Sequence, residues 1–136
     1  MAGSILVDTN VWFDVINTDP VWYEWSAEQL DRVAQQGKAA INVVIFAELS
    51  VRYQRMEDFE NAIATFSIER LALPFEAGFL AAKAFQQYRK RSGTRSGTLP
   101  DFFIGAHAAV ANLPLLTRDP RRYTKYFPKV KLIAPD

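Results

Sequence analysis

The sequence predicts an α/β protein of three layers, α/β/α, with a mostly parallel central sheet. Three observations carry that expectation. Strand-like runs alternate with helix-like stretches along the whole chain of 136 residues, the pattern of strand–helix–strand units. Runs such as "SILV", "KAAI" and "LPLLT" are short and almost wholly apolar, as strands covered on both faces are. No stretch has the composition of an interdomain linker, so one domain over residues 1–136 is expected.

In chain order, "SILVD" (4–8) reads as a buried strand, and Thr9 or Asn10 can cap a helix through about Asn17. Pro20 suits the first turn of a longer helix, "PVWYEWSAEQLDRVAQQG", with Gly37 as its stop. "KAAI" is a second strand, and Asn42 can cap the helix "VVIFAELSVRYQR". "MEDFENAIATFS" continues as helix, "RLAL" is a third strand closed by Pro74, and "FEAGFLAAKAFQQYRKR" is a long helix ending before Gly93. The tetrapeptide "RSGT" then occurs at 91–94 and again at 95–98. We read it as a flexible Ser/Gly loop carrying Arg91 and Arg95. "PDFFIGAHAAVAN" is a helix, "LPLLT" a strand, "PRRYTKYF" a short helix and "VKLIA" a last strand.

Composition narrows the chemistry. With no cysteine and one histidine, His107, disulfides, thiolate sites and His-rich zinc sites are excluded, so any bound metal must be held mainly by oxygen. No apolar run approaches the ~20 residues of a membrane span, nor does the start resemble a secretory leader. A cytoplasmic protein without membrane contact is expected. The net charge of +1 conceals an asymmetry: residues 1–82 hold 12 acids and 5 bases, residues 83–136 hold 11 bases and 3 acids. A basic face offered to a polyanion, nucleic acid first, is one reading; pairing between the two halves is the other.

Function in open α/β sheets gathers beyond the carboxyl ends of the strands. Asp8 follows "ILV", Asp119 follows "LPLLT", and Asp101 opens the helix that precedes the latter strand. Each could be a simple cap: Asp8 for the first helix, Asp101 beside Pro100 at a helix start, Asp119 ahead of Pro120. Glu48 is different, because its neighbours at helical spacing are Val44, Ile45, Val51 and Arg52. A carboxylate on a mostly apolar helix face needs a reason, and the structural one would be an ion pair with Arg52. Jointly, the four acids Asp8, Glu48, Asp101 and Asp119 map to one end of the sheet. Carboxylates held together repel unless a cation lies between them. Mg²⁺ or Mn²⁺, hard and oxygen-seeking, is the natural one, and such a site can activate water against a phosphodiester.

The motifs "ILVDTNVW", "FAEL", "LPDFFIGAHA" and "LLTRD", in that order, resemble those of PIN-domain nucleases from about Ile5 to the last strand. In size the chain most resembles VapC toxins, the ribonuclease halves of VapBC toxin–antitoxin pairs. The resemblance implies a PIN-like fold and a metal-dependent endoribonuclease with Asp8, Glu48, Asp101 and Asp119 as the catalytic, metal-binding acids, Asp8 and Asp101 being the most direct ligands. It implies support from Thr9, Asn10 and Thr117, an RNA substrate, a cognate VapB-type antitoxin and a homodimer. The aromatic stretch "VWYEW" (21–25) could serve either the core or such partners. A nucleic-acid- or protein-binding PIN-like module without catalysis is the alternative, though capping does not explain Glu48. A phosphotransferase using Asp8 is disfavoured, since a "DxD" motif would need an acid where Asn10 stands.

His107, six positions after Asp101 on the helix and among alanines, points away by about 120° and is expected to be packed rather than catalytic. Arg89, Lys90, Arg91 and Arg95 precede Asp101, while Arg118, Arg121, Arg122 and Lys125 surround Asp119. Of these, Arg91, Arg95, Arg118 and Arg122 are the candidates for phosphate contacts. Replacing Arg91 and Arg95 together by Ala is expected to weaken RNA binding and lower its salt slope by roughly 1 per lost phosphate contact. Filter binding across a salt series measures both. An unchanged affinity and slope would make the loop a solvated connector.

Overall fold

The computed structural model describes residues 3–92 and 99–136. Five strands form one sheet: β1 (Ser4–Val7), β2 (Lys38–Ile41), β3 (Ile68–Arg70), β4 (Leu115–Leu116) and β5 (Leu132–Ile133), in the order β3-β2-β1-β4-β5. All four pairings are parallel, with Leu6 opposite Ala40 on one side and Leu115 on the other. Seven helices are described: α1 (Thr9–Ile16), α2 (Tyr23–Gln36), α3 (Val43–Ser50), α4 (Met56–Ile63), α5 (Phe75–Ser92), α6 (Leu99–Ala111) and α7 (Arg121–Thr124). The apolar residues of β1, β2 and β4 are buried, as expected of strands between two helical layers, so the three-layer architecture holds and the sheet is wholly parallel.

Strand order reverses at β1. The chain moves outward through β2 and β3 on one side, then returns to place β4 and β5 on the other. Such a reversal opens a crevice beyond the carboxyl ends of the two strands that flank it, here β1 and β4. Asp8 directly follows β1, and its amide donates to the carbonyl of Leu116 in β4 at 2.8 Å. Helix α3 departs from the end of β2, and α6 leads into β4. Four chain segments therefore present side chains to one region.

Several boundaries differ from the sequence reading, each for a local reason. Helix α1 is capped by Asp8 rather than by Thr9 or Asn10, the Asp8 side chain accepting from the Thr9 amide at 2.8 Å. Helix α2 begins at Tyr23, not Pro20, because the Asp19 carboxylate accepts from the Val21 and Trp22 amides at 3.0 and 2.8 Å and holds a turn there. Helix α3 stops at Ser50 instead of running to Arg55; the Tyr53 amide turns back to the Ser50 carbonyl, and its ring packs on Phe59. Strand β3 lies at Ile68–Arg70 rather than over "RLAL", because its partner β2 ends at Ile41 opposite Arg70 and gives way to the Asn42-capped helix. Arg91 belongs to α5, which runs to Ser92, and is exposed, so it is not in a loop as expected, and Arg95 lies outside the described residues. Asn42 caps α3 as expected, accepting from the Ile45 amide at 2.9 Å.

Helix α6 packs tightly against the chain that leads to β5. A Cβ at Gly105 would stand 2.4 and 2.5 Å from Cδ2 and Cε2 of Phe127, whose side chain is buried. Alanine favours helix over glycine by ~1 kcal/mol, but overpacking costs ~1–3 kcal/mol. Gly105→Ala is expected to be net destabilising by about 1 kcal/mol, and less so when Phe127→Leu makes room. Urea unfolding of both proteins measures this. A Gly105→Ala protein as stable as wild type would show that Phe127 yields freely.

Candidate active site

The site is built around Asp8, which is 1% exposed. A lone buried carboxylate costs several kcal/mol, roughly, and here every contact around Asp8 offsets that cost. Its Oδ1 accepts from the Thr9 amide; its Oδ2 accepts from the Thr117 hydroxyl and the Tyr123 hydroxyl, each at 2.8 Å, and from Asn10 Nδ2 at 3.4 Å. Burial still raises the Asp8 pKa above its ordinary value, against the lowering effect of the Tyr123 and Thr117 hydrogen bonds and the charge of Arg122. Tyr123 is itself fully buried, and burial together with the Asp8 charge holds its pKa well above 10.0, so it stays a hydrogen-bond donor.

The polar residues expected to support the site, Thr9, Asn10 and Thr117, are hydrogen-bonded to its acids and to the loop after β4. Thr117 also accepts from the Asp119 amide at 3.0 Å and from Asn10 Nδ2 at 3.4 Å, while Asn10 Oδ1 accepts from the Arg118 amide at 3.3 Å. Thr9 donates its hydroxyl to Glu48. The loop after β4 is thereby tied to the first turn of α1, and the first turn of α1 to α3.

Glu48 is half-buried and is not paired with Arg52, whose guanidinium lies 5.1 Å from the Phe13 ring centroid and reaches Asn17 Oδ1 at 3.5 Å. The salt-bridge reading of Glu48 therefore fails. Burial raises its pKa, the charges of Asp101 and Asp8 add to the rise, and the Thr9 hydrogen bond opposes it. Asp101, in the first turn of α6, is buried, while Asp119 is partly exposed. Asp119 does not cap α7; Pro120 occupies that position, with no side-chain cap.

Arg122 binds both of these acids. Its Nη1 donates to Asp101 Oδ1 and its Nε to Asp119 Oδ2, each at 3.1 Å. Burial lowers the Arg122 pKa, but the charges of Asp101 and Asp8, with smaller ones from Tyr123 and Asp119, outweigh it and leave a net rise. The guanidinium also separates two clefts. One, of about 400 Å³, is lined by Tyr88, Asp101, Asp119, Arg121 and Tyr126; the other, of about 450 Å³, by Thr9, Asn10, Glu48 and Arg52. Arg122 lines both.

Among the described residues, no three acidic or histidine side chains stand in metal-holding geometry as placed. In chemistry the donors are the kind a hard divalent ion takes, carboxylate oxygens: Asp8, Glu48 and Asp101 act on one another, and the Arg122 guanidinium bridges Asp101 and Asp119.

Arg118 is placed differently from Arg122. Its Nε and Nη2 grip the Asp14 carboxylate at 2.8 and 3.0 Å, and Ser26 donates to the same carboxylate at 2.7 Å. Sequence spacing does not single out Asp14, whose neighbours at helical spacing are Asn10, Val11, Asn17 and Thr18, one of them apolar. Tyr123 was missed too, since nothing local distinguishes it from the other aromatic residues. His107 is packed as expected. Asn42 Oδ1 is occupied by Ile45, so Asn42 Nδ2 donates to His107 Nδ1 at 3.0 Å, and burial lowers the His107 pKa.

The family model for the PIN domain matches residues 5–128. Solved structures of similar fold include VapBC2 from Rickettsia felis bound to a DNA fragment from their promoter, with 22% identity over 98% of this chain and 100% of that one, TM-score 0.72. VapBC-1 from nontypeable Haemophilus influenzae shares 19% identity over 97% of this chain and 98% of that one, TM-score 0.70. FitAcB from Neisseria gonorrhoeae shares 21% over 95% and 96%, TM-score 0.67. At these identities the likeness is one of fold. No curated protein matches the sequence.

The raised pKa of Glu48 makes a stability prediction. A carboxyl whose folded pKa exceeds its ordinary 4.5 stabilises the fold while protonated, and that contribution is lost as pH rises through the folded value. Glu48→Gln removes the loss. Without added metal, its melting temperature is expected to match wild type below pH 4.5 and to exceed it increasingly toward neutrality. A variant less stable than wild type at pH 7 would mean that the Glu48 charge is structurally required.

Proposed function

The chain belongs to the PIN-domain family, and from that premise we propose that it is a metal-dependent endoribonuclease, the toxin half of a VapBC-type pair. One observation carries the reading: near the topological switch point Asp8, Glu48 and Asp101 act electrostatically on one another, and Arg122 links Asp101 to Asp119. Structural capping has no use for such a grouping, because like charges held together cost stability.

In this reading Asp8 and Asp101 hold Mg²⁺ or Mn²⁺, with Glu48 and Asp119 completing the acidic set. The ion supplies charge stabilisation for the phosphodiester and promotes ionisation of the attacking water. The protein's part is positional. Tyr123, Thr117 and the Thr9 amide fix the Asp8 carboxylate, so its free lone pairs keep one direction. Glu48, half-buried and with a raised pKa, accepts the proton of the attacking water at its carboxylate. Because water and not the ribose 2′-hydroxyl attacks, the products carry 5′-phosphate and 3′-hydroxyl ends.

RNA is expected to approach over the clefts flanking Arg122, with Arg91 and Arg95 contributing phosphate contacts. Arg118 adds to the positive field while its fork stays on Asp14. The full chain acts as one PIN domain, 1–136, in the cytoplasm, as a homodimer restrained by a VapB-type antitoxin; the similar folds found in VapBC and FitAB complexes support that assignment. No described helix is long and apolar enough to cross a membrane. A non-catalytic binding module is the second reading, favoured by the neutralisation of Asp101 and Asp119 by Arg122.

Metal and cleavage together decide between the two. Mg²⁺ or Mn²⁺ is expected to raise the melting temperature of the wild type but hardly that of Asp8→Asn/Asp101→Asn, because an ion that binds only the native site stabilises it. Glu48→Gln is expected to lose RNA cleavage by at least ~10²-fold, the usual contribution of a general base. Equal metal stabilisation of wild type and double variant, with no cleavage by either, would favour the binding module.

A further inference from the structure

Arg122 stands among the acids of the candidate site. Its two-armed bridge joins Asp101 Oδ1 to Asp119 Oδ2, and its charge also acts on Asp8 and Glu48. A guanidinium on these oxygens opposes a divalent ion there, since the two cations repel and draw on the same carboxylates. Arg122 is also free to leave. Its side chain is 43% exposed, it stands on a helix of 4 residues, and open clefts lie on both sides of it. Arg118 makes the contrast: its partner Asp14 is 1% exposed and is also held by Ser26, so that arginine is fixed.

We propose that Arg122 is a displaceable internal cation, which neutralises Asp101 and Asp119 in the metal-free protein and yields those oxygens to a divalent ion. This deepens the endoribonuclease reading and rests on it. Arg122 thereby protects the fold from the repulsion of its own active site and sets a threshold for metal binding. Once released beside the clefts, its planar fork suits the bidentate recognition of a phosphate. Metal loading and the presentation of a phosphate-binding arginine become one event.

Mn²⁺ alone is the probe, titrated into the protein at fixed ionic strength with the free ion followed by electron paramagnetic resonance. Removing the competitor in Arg122→Gln is expected to tighten Mn²⁺ binding roughly tenfold or more, within the range of ordinary coupling between sites. Arg122→Lys, which keeps the charge and the fold but loses the two-armed bridge, is expected to fall between that variant and wild type. Arg121→Gln removes an exposed neighbouring charge without removing the bridge and is expected to change affinity by less than about twofold. In wild type, Mg²⁺ is expected to shift the side-chain Nε–H resonance of Arg122. Equal Mn²⁺ affinity in wild type and both Arg122 variants, or an equal gain in Arg121→Gln, would overturn the inference and leave the endoribonuclease reading standing. Failure of every protein to bind Mn²⁺ would overturn both.

Discussion

Asp8 Oδ2 accepts from the hydroxyls of Thr117 and Tyr123, residues 109 and 115 positions further along the chain. These bonds meet where the central strand ends. A buried carboxylate without partners is costly, so the end of β1 depends on residues from the last quarter of the chain being in place. The loop after β4 and the short helix α7 are held both by these bonds to Asp8 and by burial of Tyr123 and Phe127 in the core. The same constraint aims Arg122, which lies next to Tyr123 and so projects toward Asp101 once the tyrosine is seated.

The sheet supplies the rest. Reversal of strand order at β1 leaves a crevice between the ends of β1 and β4, and the helices that border it bring Glu48 and Asp101. Asn42 ties those two helices together, capping α3 with one end of its amide and donating to His107 of α6 with the other. His107 thus bears on the site without entering it: it fixes the relation of the helix carrying Glu48 to the helix carrying Asp101.

Most of the architecture could be read from the sequence, because apolar runs bounded by caps report burial and chain direction locally. Strands β1 and β2 and the long helices α5 and α6 fell close to expectation, and so did the cap at Asn42. The failures involve partners that are distant in sequence. "RLAL" is strand-like in itself, yet β3 ends at Arg70 because β2 has no further residue to pair with. Pro20 suits a helix start, but the Asp19 carboxylate closes a turn over the next two amides. Asp8, Asp101 and Asp119 could be placed from the sequence by counting from strand and helix ends, and Glu48 from its apolar helical neighbours. Tyr123 could not, because only the folded chain brings its hydroxyl to Asp8.

Glu48 and Asp14 show where sequence reasoning alone stops. Both are carboxylates on short helices, but Asp14 has Asn10, Val11, Asn17 and Thr18 at helical spacing where Glu48 has Val44, Ile45, Val51 and Arg52, so only Glu48 stands on a mostly apolar face. Asp14 is answered by Arg118 and Ser26 and becomes a structural tie between α1, α2 and the loop after β4. Glu48 accepts from the Thr9 hydroxyl, and burial, with the charges of Asp101 and Asp8 behind it, raises its pKa against that bond and the charge of Arg122. The same division separates the arginines. Arg118 grips a carboxylate that is buried and also held by Ser26, whereas Arg122 bridges two acids where it lines two clefts. What distinguishes the two arginines is therefore how each is used. Arg118 closes one buried carboxylate together with Ser26, and Arg122 is shared between Asp101 and Asp119, so the first ties helices together and the second ties α7 to α6 across the ends of the central strands.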